Sequence, residues 1–153
     1  MSRARTAALR LLTRRDYTAT ELRAKLLARD LPEPEITSAL ADLTRDGFVD
    51  DRRVAESCVR VAATLKGRGR YRIERELEHR GVDRGLIREI LAGLPVADEQ
   101  ASIRRYLERK HLPARLSPTE YRRVFGQLVR RGFSADLIAT ALRSRGHEEP
   151  EGQ

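Results

Sequence analysis

The residues of this chain best equipped for catalysis or metal binding are few: the adjacent acids Asp50-Asp51, three histidines (His79, His111, His147) and one cysteine, Cys58. Paired carboxylates suit magnesium, a hard cation that prefers oxygen donors. Adjacent acids just ahead of a helical stripe are also natural capping groups, favoured by the helix dipole, and Asp50-Asp51 read that way. The histidines are dispersed without ligand spacing, and one cysteine cannot make a zinc site. Cys58 lies on an apolar helical stripe, which predicts a buried packing role. With no second cysteine it has no disulfide partner in the chain, which fits a reducing cytoplasm. No catalytic residue, metal ligand set or cofactor-binding motif is assigned.

Anion binding has better support. The 153 residues carry a net charge of +8, unevenly placed. Residues 1–51 hold nine basic and nine acidic groups, residues 52–102 eleven and eight, and residues 103–153 eleven and six. Such a gradient points to an anionic partner on the middle and C-terminal parts. Arginine makes up 28 of the 31 basic residues, which a biased genome composition could also produce without a binding role. The sharpest cluster runs from Lys66 to Arg75. With a helix starting near Arg68, Arg68, Arg72, Arg75 and His79 fall within a sector of roughly 60°. Gly67 and Gly69 would let backbone approach a phosphate, and a helix N-terminus favours anions. Gly67-Arg68-Gly69 lacks the lysine-serine or lysine-threonine ending of a nucleotide-binding turn. The candidate DNA-contacting residues are Lys66, Arg68, Arg70, Arg72 and Arg75, joined by Arg104, Arg105, Arg122, Arg123 and Arg130 from the most basic third. Tyr71, Tyr106 and Tyr121 could stack on bases, but with seven aromatics in all they read as completing cores.

The elements that must position these groups follow from a repeat. Leu22, Leu26, Leu31, Ile36 and Leu40 are spaced 4, 5, 5 and 4 apart. The same spacing returns 51 positions later as Ile73, Leu77, Val82, Ile87 and Leu91, and again as Val124, Leu128, Phe133, Ile138 and Leu142. Steps of four keep one helical face, and the five-residue steps break it at a corner. Those corners are Asp30-Leu31-Pro32, Gly81-Val82-Asp83 and Gly132-Phe133-Ser134. Glycine suits the left-handed end of a helix, and Asp83 and Ser134 suit the N-cap of the next. Pro34 fits a first helical position. Thr18 with Glu21 and Ser117 with Glu120 are capping boxes for the middle helices.

A further helix precedes each pair: Leu9, Leu11 and Leu12 anchor the first, Val54, Ala55, Cys58, Val59 and Ala62 the second, and Ile103, Tyr106 and Leu107 the third. No period-two run suggests a strand. The expected fold is all-α: three tandem three-helix repeats, residues 1–51, 52–95 and 96–147, with a disordered tail at 148–153. About 50 residues is near the lower limit for an independent core, so stacked repeats in an elongated, curved array are expected. No apolar run is long enough to span a bilayer, and the chain does not start like a signal peptide.

Particular phrases add a resemblance. Tyr17-Thr18-Ala19-Thr20-Glu21-Leu22, Gly47-Phe48-Val49-Asp50-Asp51-Arg52-Arg53-Val54-Ala55, and Lys66-Gly67 leading to Arg72-Ile73, Glu76-Leu77 and Arg80-Gly81-Val82 are similar, in order and content, to the RecX family of bacterial regulatory proteins. Tyr106-Leu107 and Arg130-Arg131-Gly132-Phe133 extend the resemblance, which covers roughly residues 6–145. Two places depart from the family: Arg68-Gly69 stands where a proline often follows the Lys-Gly pair, and Asp30-Leu31 replaces an Arg-Gly-apolar corner. The resemblance implies a non-enzymatic protein that lies in the groove of the RecA–DNA filament and depresses ATP hydrolysis, filament growth and strand exchange. It further implies a cytoplasmic monomer with the RecA filament as partner, weak binding to single- and double-stranded DNA, no membrane partner and no cofactor. The residues by themselves also fit a general DNA- or RNA-binding helical array acting through phosphate contacts, or a scaffold without a nucleic-acid partner.

Overall fold

The computed structural model describes residues 1–145, all helix and turn. The tail expected at 148–153, and His147, lie outside the described residues. Nine helices follow in order among the described residues: α1 (Arg3–Leu12), α2 (Ala19–Leu27), α3 (Glu33–Arg45), α4 (Asp51–Thr64), α5 (Arg70–His79), α6 (Arg84–Ala92), α7 (Val96–Arg109), α8 (Pro118–Arg130) and α9 (Ala135–Arg145). The repeat shows in burial. Leu26, Leu77 and Leu128, each 51 positions apart, are all fully buried, as are Leu22, Ile73, Ile36 and Ile138.

Each corner has the predicted backbone. Asp30, Gly81 and Gly132 occupy equivalent positions with φ of 59°, 82° and 100°, the left-handed conformation that ends a helix. Asp83 and Ser134 then cap the following helices, accepting from the N–H groups of Leu86 and Leu137. Thr18 and Glu21 form the complete capping box, and the Ser117 hydroxyl accepts from the N–H of Glu120. Pro34 falls one residue later than expected, because α3 opens at Glu33.

The chain divides into two compact units that are not the repeats. One comprises residues 1–58 and 76–90, the other residues 59–75 and 91–153. In the first unit, α1, α2 and α3 pack on one another around Leu22, Leu26, Ile36, Leu40 and Leu43. The buried stripe of α1 is Ala4, Ala8 and Leu11, not the expected Leu9, Leu11 and Leu12, of which Leu9 and Leu12 are only partly covered. Alanines carry little weight in an apolar pattern, yet they let α1 lie close to α3, where Glu35 accepts from the N–H of Ala4. In the second unit, α7 and α8 each pack on α9 around Ile103, Leu107, Val124, Leu128, Phe133 and Ile138. Cys58 is half-buried, not buried as expected. The buried stripe of α4 is Val54, Ala55, Val59 and Ala62.

Candidate nucleic-acid interface

The basic cluster is positioned by a joint that occurs twice in the same register. In the first unit, Oγ1 of Thr18 donates to the carbonyl of Arg80 at 2.6 Å and Oγ1 of Thr20 to that of Gly81 at 3.2 Å. In the second unit, 51 positions on, the backbone N–H of Gly69 donates to the carbonyl of Arg131 at 2.8 Å and that of Tyr71 to Gly132 at 3.1 Å. A helix start thus rests against a helix–helix corner in both places. The first N–H of each of these helices is also claimed by an acid from elsewhere: Ala19 donates to Asp51, and Arg70 donates to Glu99.

Close approach explains the glycines. A Cβ on Gly81 would stand 2.4 Å from Cβ of Thr20; one on Gly132 would stand 2.4 Å from the nitrogen of Arg72; one on Gly69 would stand 2.5 Å from the carbonyl of Gly132. These glycines admit protein backbone, so the expectation that Gly69 admits a phosphate is replaced by a packing reason. Donors at the start of α5 are likewise engaged by Arg131, Glu99 and Gly132. An anion there would have to displace a buried carboxylate.

The helix begins at Arg70, not near Arg68 as expected, and this separates the ten candidates. Lys66 is exposed behind α4, and Arg68 is half-buried in the connecting loop. Arg70 is turned inward: its Nε donates to Glu99 at 2.7 Å and its Nη2 to the carbonyl of Leu94 at 3.0 Å. Glu99 is 3% exposed, so Arg70 neutralises a buried charge that would be costly alone. Arg72 is half-buried beside the Gly132 corner and Arg75 is exposed. Arg104 and Arg105 lie on opposite flanks of α7, the first beside α9 and the second beside α4. On α8, Arg122, Arg123 and Arg130 are exposed opposite the buried Val124 and Leu128. Arg123 and Arg130, seven apart, share one side.

Charge differs between the two units. The first unit holds fourteen basic and fourteen acidic residues; the second holds seventeen and nine, the whole formal excess of the chain. In the first unit Arg5, Arg15, Arg23, Arg45, Arg52, Arg53 and Arg80 all have carboxylate partners. Hydrogen bonding to Glu89 raises the Arg52 guanidinium above its ordinary value. Burial would raise the Glu21 carboxyl, but the Thr18 N–H and the Arg80 guanidinium outweigh it and hold Glu21 below the ordinary carboxylate range. In the second unit Arg72, Arg75, Arg104, Arg105, Arg122, Arg123 and Arg130 have no ion pair among the described residues.

Sequence reasoning missed two exposed tyrosines. Tyr71 is 51% exposed at the start of α5 and Tyr121 is 37% exposed on α8, stacked on Phe125 at 6.0 Å. Tyr106 does complete a core, with the Arg131 guanidinium 4.5 Å from its ring and its hydroxyl donating to Gln127. The missed signal is spacing: Tyr71 is four residues from Arg75, hence on the same face. No cluster of histidine, cysteine and acidic residues able to hold a metal occurs among the described residues, and none of their helices is long and apolar enough to cross a membrane.

Three family models match in tandem: the RecX first three-helix domain over residues 4–43, the second over 50–91 and the third over 97–142. Regulatory protein RecX of Thermobifida fusca (strain YX) is 38% identical over 144 residues, spanning 93% of this chain and 78% of that protein. The protein of the same name in Trichlorobacter lovleyi is 40% identical over 139 residues, 86% of this chain and 88% of that one. The crystal structure of RecX from Lactobacillus salivarius superposes with a TM-score of 0.85 over 93% of this chain and 94% of that one, at 22% identity, a likeness of fold.

Proposed function

Because this chain belongs to the RecX family of regulatory proteins, we propose that it binds the RecA–DNA filament and restrains it, depressing ATP hydrolysis, filament growth and strand exchange. The observation that carries this reading is the concentration of the charge excess in the second unit, where Arg72, Arg75, Arg104, Arg105, Arg122, Arg123 and Arg130 have no carboxylate partner among the described residues. Cations already paired within a fold gain little from a new anion. Unpaired arginines on rigid helices release counterions when they meet phosphate and gain affinity as they do so. The joint at Gly69 and Gly132 holds the start of α5 against the α8–α9 corner. The backbone carrying Arg72 and Arg75 is thereby held in place before binding, which lowers its entropic cost.

Action is stoichiometric in this reading. The protein favours one filament state by binding it better than the others, and inhibition tracks occupancy. The test is titration of the purified protein into RecA on single-stranded DNA with ATP, following ATPase and filament length together. Both should fall in parallel at stoichiometric amounts. Equal, salt-sensitive binding to bare DNA with no effect on RecA would favour the general nucleic-acid-binding alternative. Binding to neither would favour a protein scaffold.

A further inference from the structure

Between α7 and α9 runs a cleft of about 540 Å3, within the range of pockets that take a small ligand or a large side chain, about 300–1,000 Å3. Its floor is apolar, with Leu107, Leu112 and Leu137, and its rim is basic, with Arg104, His111 and Arg145. Glu108 is the one acidic group in its lining.

Arg145 is held by neutral acceptors. Its Nη2 donates to the carbonyls of Leu112 at 2.6 Å and Pro113 at 2.8 Å. Carbonyls orient a guanidinium without cancelling its charge, and its remaining N–H groups keep the planar geometry that suits a carboxylate. Arg104 is exposed and has no ion pair among the described residues. Neither Arg104 nor Arg145 has an ion pair among the described residues, and the two flank the cleft's leucines.

We infer that this cleft docks an acidic segment of a protein partner, with one large apolar side chain on the floor and flanking carboxylates against Arg104 and Arg145. A free inorganic anion would leave the floor unused. A phosphate backbone brings no apolar anchor for the leucines. The chain's own residues beyond Arg145 include Glu148, Glu149 and Glu151 but no large apolar residue, so they match the rim and not the floor. The inference is independent of the filament reading and needs no nucleic acid.

The experiment uses the full chain and a fluorescein-labelled peptide, Asp-Glu-Leu-Phe-Glu-Glu, read by fluorescence anisotropy at physiological salt. Saturable binding is expected, weakened at least about ten-fold by Arg104→Glu, which sets like charges together. Arg123→Glu on α8 should change it less than about two-fold, because Arg123 is exposed and outside the lining of the cleft and solvent and salt screen such charges. A peptide with serine in place of leucine and phenylalanine should not bind. Arg104 is exposed, and circular dichroism confirms that its variant folds. Equal losses from Arg104→Glu and Arg123→Glu, undiminished binding of the serine peptide, or no saturation would each overturn the inference. A variant with Glu148, Glu149 and Glu151 changed to Gln that binds the peptide about ten-fold tighter would also overturn it, making the chain's own segment the occupant.

Discussion

Single positions separate strain from contact. Gly47 and Gly132 both have left-handed backbone, at 83° and 100°, but a Cβ on Gly47 meets nothing within 4 Å whereas one on Gly132 meets the backbone of Arg72. Gly47→Ala should cost about 1–2 kcal/mol for the conformation alone. Gly132→Ala should cost distinctly more in denaturant unfolding, and equal losses would contradict the joint. Glu21 gives a pH test. Its folded pKa is depressed, so its stabilising contribution is full above the ordinary value of about 4.3 and disappears as pH falls through the lower folded value. Glu21→Gln should lower the Tm at neutral pH, and the gap should close in acid; a gap constant with pH would contradict the Arg80 pairing. Local roles are legible where chemistry is local. Thr18, Asp83 and Ser134 read as caps because a cap needs only its own helix. Asp50 and Asp51 both read as capping groups of α4; Asp50 accepts from the N–H of Arg53 there, whereas the Asp51 carboxylate accepts from the first N–H of α2, and a partner 32 residues away leaves no trace in spacing.

Elements are legible through their period and their boundaries are not. Five apolar positions recurring at 51 give the helices of each corner, and the buried trio Leu26, Leu77 and Leu128 follows from that period. Leu77→Ala should destabilise by about 2–5 kcal/mol, as deletion of a fully buried leucine does, read by chemical denaturation. The start of α5 escapes sequence reading because Arg68, Gly69 and Arg70 carry no apolar signal. A one- or two-residue shift there decides which arginines face outward. Composition groups Arg70 with its neighbours, yet it pairs with Glu99. Arg70→Ala should therefore destabilise by about 3–5 kcal/mol, the cost of leaving a buried charge alone. Arg75→Ala, on the exposed side, should stay within about 0.5 kcal/mol. Similar losses in thermal or denaturant unfolding would undo this division of roles. A binding defect in Arg70→Ala would then report the fold and not a contact.

At the scale of the whole chain, net charge and its absence from the first third are legible, and the boundaries of the units are not, because the units interleave segments distant in sequence. Thirds of the chain carry 0, +3 and +5, so residues 52–153 already hold the whole excess. Grouping residues 59–75 with 91–153 puts the entire excess of +8 in one unit and leaves the other neutral. The proposed regulation rests on that asymmetry. The measurement that tests it most directly is the salt dependence of binding to RecA–DNA filaments. It compares the protein with Arg75, Arg123 and Arg130 changed to Gln against the protein with Arg10, Arg14 and Arg29 changed to Gln. All six are exposed and none has an ion pair among the described residues, so both variants should fold and both lose the same formal charge. The second-unit variant should bind more weakly, with a log–log salt slope shallower by up to about three, one unit for each phosphate no longer neutralised, while the first-unit variant keeps both affinity and slope. Equal affinity and equal slope in the two variants would contradict the assignment of binding to the second unit.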